Sequence, residues 1–306
     1  MKVLITGGAG FIGTNLSLEL LKQNYEVKIF DDLSTGLKSN IPKDAEFINR
    51  SITKFDQIRK AIKDCHVVVH LGARGSVPRS IKNPIATHDV NSTGTLNVLE
   101  AARQNGSHYI FSSSSSVYGS NKMLPKNEEM VLRPMTPYAA SKLSGEALSM
   151  AYAKSYDLPV SVFRFFNIFG PWQRPDHEYA AVLPKWIDKC LRNDEIELFG
   201  DGEQTRDFTY VGTVVDIIST CISKKVLHPE PINLAYGNRI SLNQVVAILK
   251  KSFPHVKVKK SQTRSGDILH SKNDPKLIKS TYPEITVKNF EDSLLGTIDW
   301  FKSKKK

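Results

Sequence analysis

Tyr138 and Lys142 stand four residues apart behind a Thr136-Pro137 entry. That spacing places both side chains on one face of a helix that begins there. A tyrosine of ordinary pKa, about 10, is a poor base at neutral pH. An ammonium one turn away stabilises the phenolate and lowers that value, so the pair reads as a candidate general base. A Y-x-x-x-K spacing also occurs as a plain surface pair, and its company must decide. Upstream, an apolar run ends in Ser112-Ser113-Ser114, where the Ser114 hydroxyl can bridge a substrate oxygen and the phenolate. The alternative for Ser112 to Ser116 is a flexible polar loop. Its place directly after a buried strand favours a site, because α/β sheets bind ligands at the carboxyl ends of their strands.

Gly7, Gly10 and Gly13 fall between the apolar run Val3-Leu4-Ile5 and an amphipathic stretch from Phe11. Glycine suits such a turn because the backbone must bend tightly and approach a diphosphate closely. The helix beyond then directs unpaired N–H groups at the phosphates. Glycine-rich turns are common, but this one follows a strand, opens a helix, and has Asp31 closing the second strand. A carboxylate there can accept from the adenosine ribose hydroxyls and repels a 2′-phosphate. No arginine occurs in Asp31-Asp32-Leu33-Ser34-Thr35-Gly36, so NAD is expected rather than NADP. Its positive nicotinamide ring would lower the Tyr138 pKa further.

The elements that must position these groups are legible as an alternation. Val3–Ile5, Val27–Phe30, Val67–Val69, Tyr109–Phe111 and Val160–Phe163 read as buried strands. Residues 11–23, 54–63, 90–105 and 138–156 carry helical spacing. This predicts an α/β fold with a doubly wound parallel sheet over residues 1–165. Residues 166–306 are richer in proline and turns and read as a smaller lobe, with helices near 180–193, 211–224 and 241–251. Some of that chain is expected to return to the first domain.

The 306 residues, 40% hydrophobic and 24% charged, exclude a disordered, collagenous or disulfide-stapled chain. No apolar run reaches the length of a membrane span. Cys65, Cys190 and Cys221 are far apart and show no metal-binding spacing, so no metal is expected. A cytoplasmic protein is expected. Net charge is +11. Residues 250–306 contribute most of it, with 14 basic against 6 acidic side chains. Such a balance prefers polyanions. No nucleic-acid-binding motif accompanies it, and a solvated basic face accounts for it.

The chain resembles the extended short-chain dehydrogenase/reductase family, specifically its nucleotide-sugar epimerases. The resemblance rests on TGGAGFIG (6–13), FDDLSTG (30–36), VVVHLGARGSVPRS (67–80), NSTGTLNVLEAA (91–102), FSSSSSVYG (111–119), PYAASK (137–142), FRFFNIFGP (163–171), GDGEQTRDFTYV (200–211) and RSGD (264–267). It implies a Rossmann-type NAD-binding domain, a UDP-sugar-binding lobe, and a homodimer formed through residues 90–105 and 138–156. Ser114, Tyr138 and Lys142 match its catalytic positions. Cofactor contacts are implied for Gly7, Gly10, Phe11, Ile12, Gly13, Asp31, Asp32, Ser34, Thr35 and Gly36. They are also implied for Ser51, Ile52, Leu71, Gly72, Ala73, Asn91, Ser112, Tyr138, Lys142 and Phe166. Arg50-Ser51-Ile52 departs from the family's usual G-D-[IV] at the adenine, where Ser51 can still offer a hydrogen bond. Substrate contacts are implied for Ser76, Val77, Ser114, Ser115, Ser116, Tyr138 and Asn167, and for Arg174, Ala181, Val182, Phe199, Arg206, Arg264, Asp267 and Ser271. Arg206 and Arg264 suit a diphosphate, with surface ion pairs as the alternative.

The shared first step in that family is oxidation at C4 of the sugar. Dehydratases resembling this chain carry an acid immediately before V-Y-G, where Ser115 and Ser116 stand, so 4-epimerisation is the expected reaction. A small residue at Ser271 implies room for UDP-GlcNAc and UDP-GalNAc as well as UDP-Glc and UDP-Gal. Gln173-Arg174-Pro175-Asp176 is similar to UDP-glucuronate 4-epimerases, which leaves that activity or a decarboxylase as the alternative. A non-catalytic NAD-binding module is a distant third.

Overall fold

The computed structural model describes residues 1–176, 180–262 and 270–304. In chain order its first half holds β1 (Lys2–Thr6), α1 (Phe11–Lys22), β2 (Glu26–Phe30), β3 (Glu46–Ile48), α2 (Phe55–Ile62), β4 (Val67–His70), α3 (Val77–Lys82), α4 (Pro84–His88), α5 (Gly94–Asn105), β5 (His108–Ser114), α6 (Pro137–Tyr156) and β6 (Val160–Phe165). Then follow β7 (Ile168–Phe169), α7 (Val182–Leu191), β8 (Ile196–Phe199), β9 (Thr205–Arg206), β10 (Thr209–Tyr210), α8 (Val211–Lys224), β11 (Ile232–Leu234), β12 (Ile240–Ser241), α9 (Leu242–Ser252), β13 (Val258–Ser261), α10 (Lys276–Thr281) and α11 (Phe290–Lys304). The chain divides into two compact units. The first comprises Met1–Lys122, Glu128–Phe165 and Val215–Leu234, and the second Met123–Asn127, Phe166–Val214 and Ala235–Lys306.

The first unit is built on a seven-stranded sheet in the order β11-β6-β5-β4-β1-β2-β3, parallel throughout. This is the doubly wound, Rossmann-type arrangement that the alternation predicts. Every residue of β4 and β5 is buried, which is why these strands read as unbroken apolar runs. Leu4, Phe30, Val68, Val98, Tyr109, Phe111 and Val162 pack into one core with Ile58 and Ile62 of α2. Each such side chain contributes about 1.5–3 kcal/mol by leaving water. The topology reverses beside β1, so the carboxyl ends of β1, β4 and β5 share the edge where such sheets bind ligands.

Two outer strands, β3 and β11, were not anticipated. Each has three residues, too short for a period-2 pattern to stand out. The helix expected over 90–105 is interrupted at its start. Asp89–Thr93 form a π turn, and regular helix begins at Gly94.

The second unit packs α7, α9 and α11 around Phe169, Leu183, Trp186, Ile187, Val245, Leu249, Leu294 and Ile298. Its strands form small pairs, β10 with β7, β12 with β9, and β13 with β8. Helix α9 opens on a capping box in which the Ser241 and Gln244 side chains each bond the other's backbone N–H, worth roughly 1 kcal/mol. The three cysteines are free and buried. Among the described residues no His, Cys, Asp and Glu cluster could hold a metal, and no helix is long and apolar enough to cross a membrane.

Candidate active site

The glycine turn is a cradle with no room for side chains. Gly7 has φ +70°, and a Cβ on it would lie 2.7 Å from the backbone nitrogen of Gly72. A Cβ on Gly13 would lie 2.5 Å from the Gly7 carbonyl oxygen. Helix α1 has neither a capping side chain nor an acid in its first turn, so the N–H groups of Phe11, Ile12 and Gly13 lack intrahelical acceptors. At the end of β2, the buried Asp31 carboxylate accepts from Ala9 N at 3.0 Å and Leu33 N at 2.8 Å. Burial pushes its pKa up, and those two backbone donors oppose the shift. Asp32, Ser34 and Thr35 are exposed beside it, and Gly36 packs on Ala9. A bare glycine cradle, a helix amino end and a carboxylate at the neighbouring strand end fit an adenine dinucleotide.

Other expected cofactor residues have local partners. The Ser51 hydroxyl bonds Thr53 at 3.1 Å, and Ile52 is buried against Gly94. Leu71 N donates to Thr6 O at 3.1 Å and Gly72 N to the Thr6 hydroxyl at 3.1 Å. Ala73 follows, half-buried. Phe166 is buried in the second unit.

A directed chain of hydrogen bonds runs from the glycine turn into α5. The Thr6 hydroxyl meets His70 Nδ1 at 2.6 Å, and His70 Nε2 meets the Thr95 hydroxyl at 2.9 Å. Thr95 donates its own proton to Asn91 O at 2.6 Å, so it must accept from His70. The ring therefore carries a proton on Nε2. Burial first, and the Lys142 charge second, hold the His70 pKa down to about 3. Asn91, in the π turn, donates to Ser141 Oγ at 3.0 Å, and Ser141 Oγ donates to Tyr138 O at 2.8 Å.

The three expected catalytic residues meet. Thr136 caps α6 and Pro137 opens it, which places Tyr138 at the carboxyl end of β5, beside Ser114. Lys142, 5% exposed, donates from Nζ to Ser112 O at 2.8 Å and lies 5.2 Å from the Phe111 ring centre. Gly145 permits this approach, since a Cβ there would lie 2.5 Å from the Phe111 ring. Ser115 and Ser116 begin a 3-10 turn, Ser115–Tyr118, that Ser114 caps by accepting from Ser116 N. Ser76 caps α3 at φ +111°, with Val77 its first residue.

One expectation is corrected. Lys142 was expected to lower the Tyr138 pKa, but burial pushes that phenol up, and only the Ser114 hydroxyl opposes it. Burial also lowers Lys142 itself to about 8. The protein alone keeps the phenol protonated.

Sequence reasoning missed the support beneath these groups. Glu146, one turn beyond Lys142, accepts from Ser113 Oγ at 2.7 Å and from Arg164 NH2 at 2.6 Å. Arg164 also donates to the Tyr118 hydroxyl at 2.9 Å, which donates to Asn233 at 2.7 Å. Two signals were available: the spacing 138, 142, 146 continues one helix face, and Arg164 is a lone charge in an apolar strand.

In the second unit, Arg206 sits on β9 and donates to Thr205 O at 3.0 Å. The exposed Asn167 donates to Asp207 O at 3.4 Å. Phe199 ends β8, and its carbonyl accepts from Gln204 at 2.7 Å. Ala181 caps α7 and Val182 begins it. Ser271 N donates to Thr205 O at 3.1 Å. Arg174 is closed on Asp176 by two bonds of 2.8 Å. Arg264 and Asp267 lie outside the described residues. Asp207, not anticipated, accepts from the backbone N–H groups of Gly237, Asn238 and Asn273 at 3.0, 3.1 and 2.9 Å. It thereby ties three segments together. Burial raises its pKa to about 6 against those donors.

Comparison with known proteins agrees with this geometry. Residues 3–235 match the model of the NAD dependent epimerase/dehydratase family. A putative UDP-glucose 4-epimerase of Methanocaldococcus jannaschii is 36% identical over 307 residues, covering 98% of both chains. The UDP-glucose 4-epimerase of Thermotoga maritima, solved with UDP-glucose, superposes with TM-score 0.94 at 30% identity over 100% of both chains. The UDP-N-acetylglucosamine 4-epimerase of Methanobrevibacter ruminantium M1, solved with UDP-N-acetylmuramic acid, gives TM-score 0.92 at 34% identity, covering 99% of this chain and 98% of that one. With the dinucleotide cradle and a tyrosine–lysine–serine constellation at the same sheet edge, the chain belongs to the NAD dependent epimerase/dehydratase family.

Proposed function

We propose that the protein is a 4-epimerase of UDP-hexoses, acting on UDP-GlcNAc and UDP-GalNAc, on UDP-Glc and UDP-Gal, or on both pairs. The observation that carries this reading is the meeting of Tyr138 with Ser114 at the carboxyl end of β5, with Lys142 buried one helical turn away and bonded to Ser112 O, together with serines at 115 and 116. Bound NAD would supply a reversible hydride acceptor for the sugar's C4. Tyr138 takes the proton from the C4 hydroxyl and later returns it. The Ser114 hydroxyl holds the sugar oxygen and stabilises the phenolate. With NAD bound, the nicotinamide charge together with the Lys142 ammonium would bring Tyr138 down from its raised pKa, an effect Lys142 does not exert in the protein alone. Neither Ser115 nor Ser116 can act as the acid of a dehydration, so the oxidised sugar turns over in place and is reduced on its other face.

Phe11, Ile12, Gly13 and Asp31 are the principal residues that would hold the dinucleotide. Asn167, Val182, Phe199, Arg206, Arg264, Asp267 and Ser271 would hold the UDP-sugar. We further propose a homodimer through α5 and α6, where Arg103 lies 4.8 Å from the Tyr156 ring and Tyr156 is 54% exposed. Light scattering of the purified protein tests it. Incubation with UDP-GlcNAc, UDP-Glc and UDP-glucuronate, followed by separation of products, tests the activity. Inversion at C4 of either neutral sugar supports the reading, and inversion of none of the three overturns it.

A further inference from the structure

Arg74, in the first unit, is a cation with no ion-pair partner among the described residues, and the proposed mechanism does not use it. Its side chain is half-buried, and its Nε is fully buried with no hydrogen-bond partner. Withdrawing such a donor from water without a partner is unfavourable, so a position like this persists where something else supplies the acceptor. Three acids of the same unit, Asp31, Asp32 and Glu146, are already engaged, Asp32 accepting from Ser34 N at 3.0 Å. Asp31 accepts from Ala9 and Leu33, and Glu146 holds Arg164 and Ser113.

The backbone of Arg74 is held as firmly as its side chain is free. Arg74 N donates to Asn91 Oδ1 at 2.7 Å, and Asn91 Nδ2 donates back to Arg74 O at 3.3 Å. Asn91 also bonds Ser141, between Tyr138 and Lys142. Two residues before Arg74, Gly72 backs onto Gly7 of the glycine cradle. Arg74 is therefore bracketed by the turn that suits a diphosphate and the helix that carries the candidate base. Gly75, which follows it, has open space around its Cβ position.

We propose that Arg74 is an oxyanion-binding residue of this site, pairing in a two-pronged geometry with anionic oxygens that a bound ligand brings. The inference rests on the nucleotide-sugar reading above. Two sources carry that chemistry: the dinucleotide's diphosphate, or a carboxylate on the hexose of a UDP-uronate. Arg174, a substrate contact implied by the resemblance, is already paired with Asp176.

Arg74→Gln separates the sources. Calorimetry of the dinucleotide-stripped protein measures the Kd of NAD, and the NAD-loaded protein is titrated with UDP-glucuronate and UDP-GlcNAc. A rise of tenfold or more in the NAD Kd assigns the diphosphate. A tenfold loss confined to UDP-glucuronate assigns the carboxylate. Either result supports the proposal, and Arg74→Lys should then be intermediate, because it keeps the charge and loses the fork. With no ligand present, Arg74→Gln should unfold at a temperature equal to or above that of the wild type. Changes below twofold in all three titrations overturn the proposal, as does a loss of ligand-free stability, which would make Arg74 a structural residue. A variant too unstable to titrate counts as that second result. Wild-type protein that binds neither NAD nor any UDP-sugar would instead overturn the reading beneath it, a distinct signature.

Discussion

Lys142→Met tests whether the protein holds its lysine against its own stability. Burial brings the ammonium from 10.5 to about 8. That interval, 10.5 less 8, at about 1.36 kcal/mol per unit, corresponds to roughly 3 kcal/mol. The sign follows from proton counts. Between pH 8 and 10.5 the unfolded chain keeps a proton on Lys142 that the folded chain has released, so wild-type stability rises with pH across that window. Below pH 8 the whole penalty applies. Opposing it is the 2.8 Å hydrogen bond to Ser112 O, worth about 1.5–3 kcal/mol for a charged donor. Methionine fills the same space without the charge. Urea denaturation at pH 7 should find the variant between unchanged and about 2 kcal/mol more stable, with turnover reduced roughly 10²- to 10⁴-fold. From pH 8 to 10.5 the wild type should gain up to about 3 kcal/mol on the variant. A variant destabilised by more than about 2 kcal/mol at pH 7 would refute this. So would a wild-type-minus-variant difference that stays flat with pH.

Tyr138→Phe should lower kcat by about 10³-fold or more while leaving the UDP-sugar Kd within about threefold, measured by progress curves and calorimetry. Glu146→Leu strands the Arg164 guanidinium and should cost about 3–5 kcal/mol in urea denaturation, whereas Glu146→Leu with Arg164→Met should recover most of it. A double variant whose loss equals the sum of the singles contradicts that coupling. Gly7→Ala forces a Cβ to 2.7 Å from a backbone nitrogen at φ +70°. It should cost about 1–3 kcal/mol of stability and weaken NAD binding at least tenfold by calorimetry.

What the sequence revealed of this protein follows how strongly each element is written in its own residues. The parallel sheet was legible because Val67–Val69 and Tyr109–Phe111 are buried on both faces and so apolar without interruption. The helix of Tyr138 and Lys142 was legible from its Thr-Pro entry and i, i+4 spacing. Three-residue β3 and β11 were not, because partner strands and not their own pattern define them. The π turn at Asn91 is equally invisible, since the bonds its side chain makes reach Arg74 and Ser141 through space. Type and spacing brought Ser114, Tyr138 and Lys142 together. They could not say that the lysine would face a carbonyl oxygen, nor that burial would raise the phenol. That balance depends on solvent exclusion, which only the packed structure contains.

His70 lends this edge of the sheet an unexpected clarity in kinetics. With both ring nitrogens committed to threonine hydroxyls and its pKa held near 3, the imidazole stays silent throughout the range in which enzymes are assayed. An inflection in kcat/KM above neutrality would then read out the phenol and its ammonium undisguised. A rate profile alone could thus follow the proton on which turnover depends.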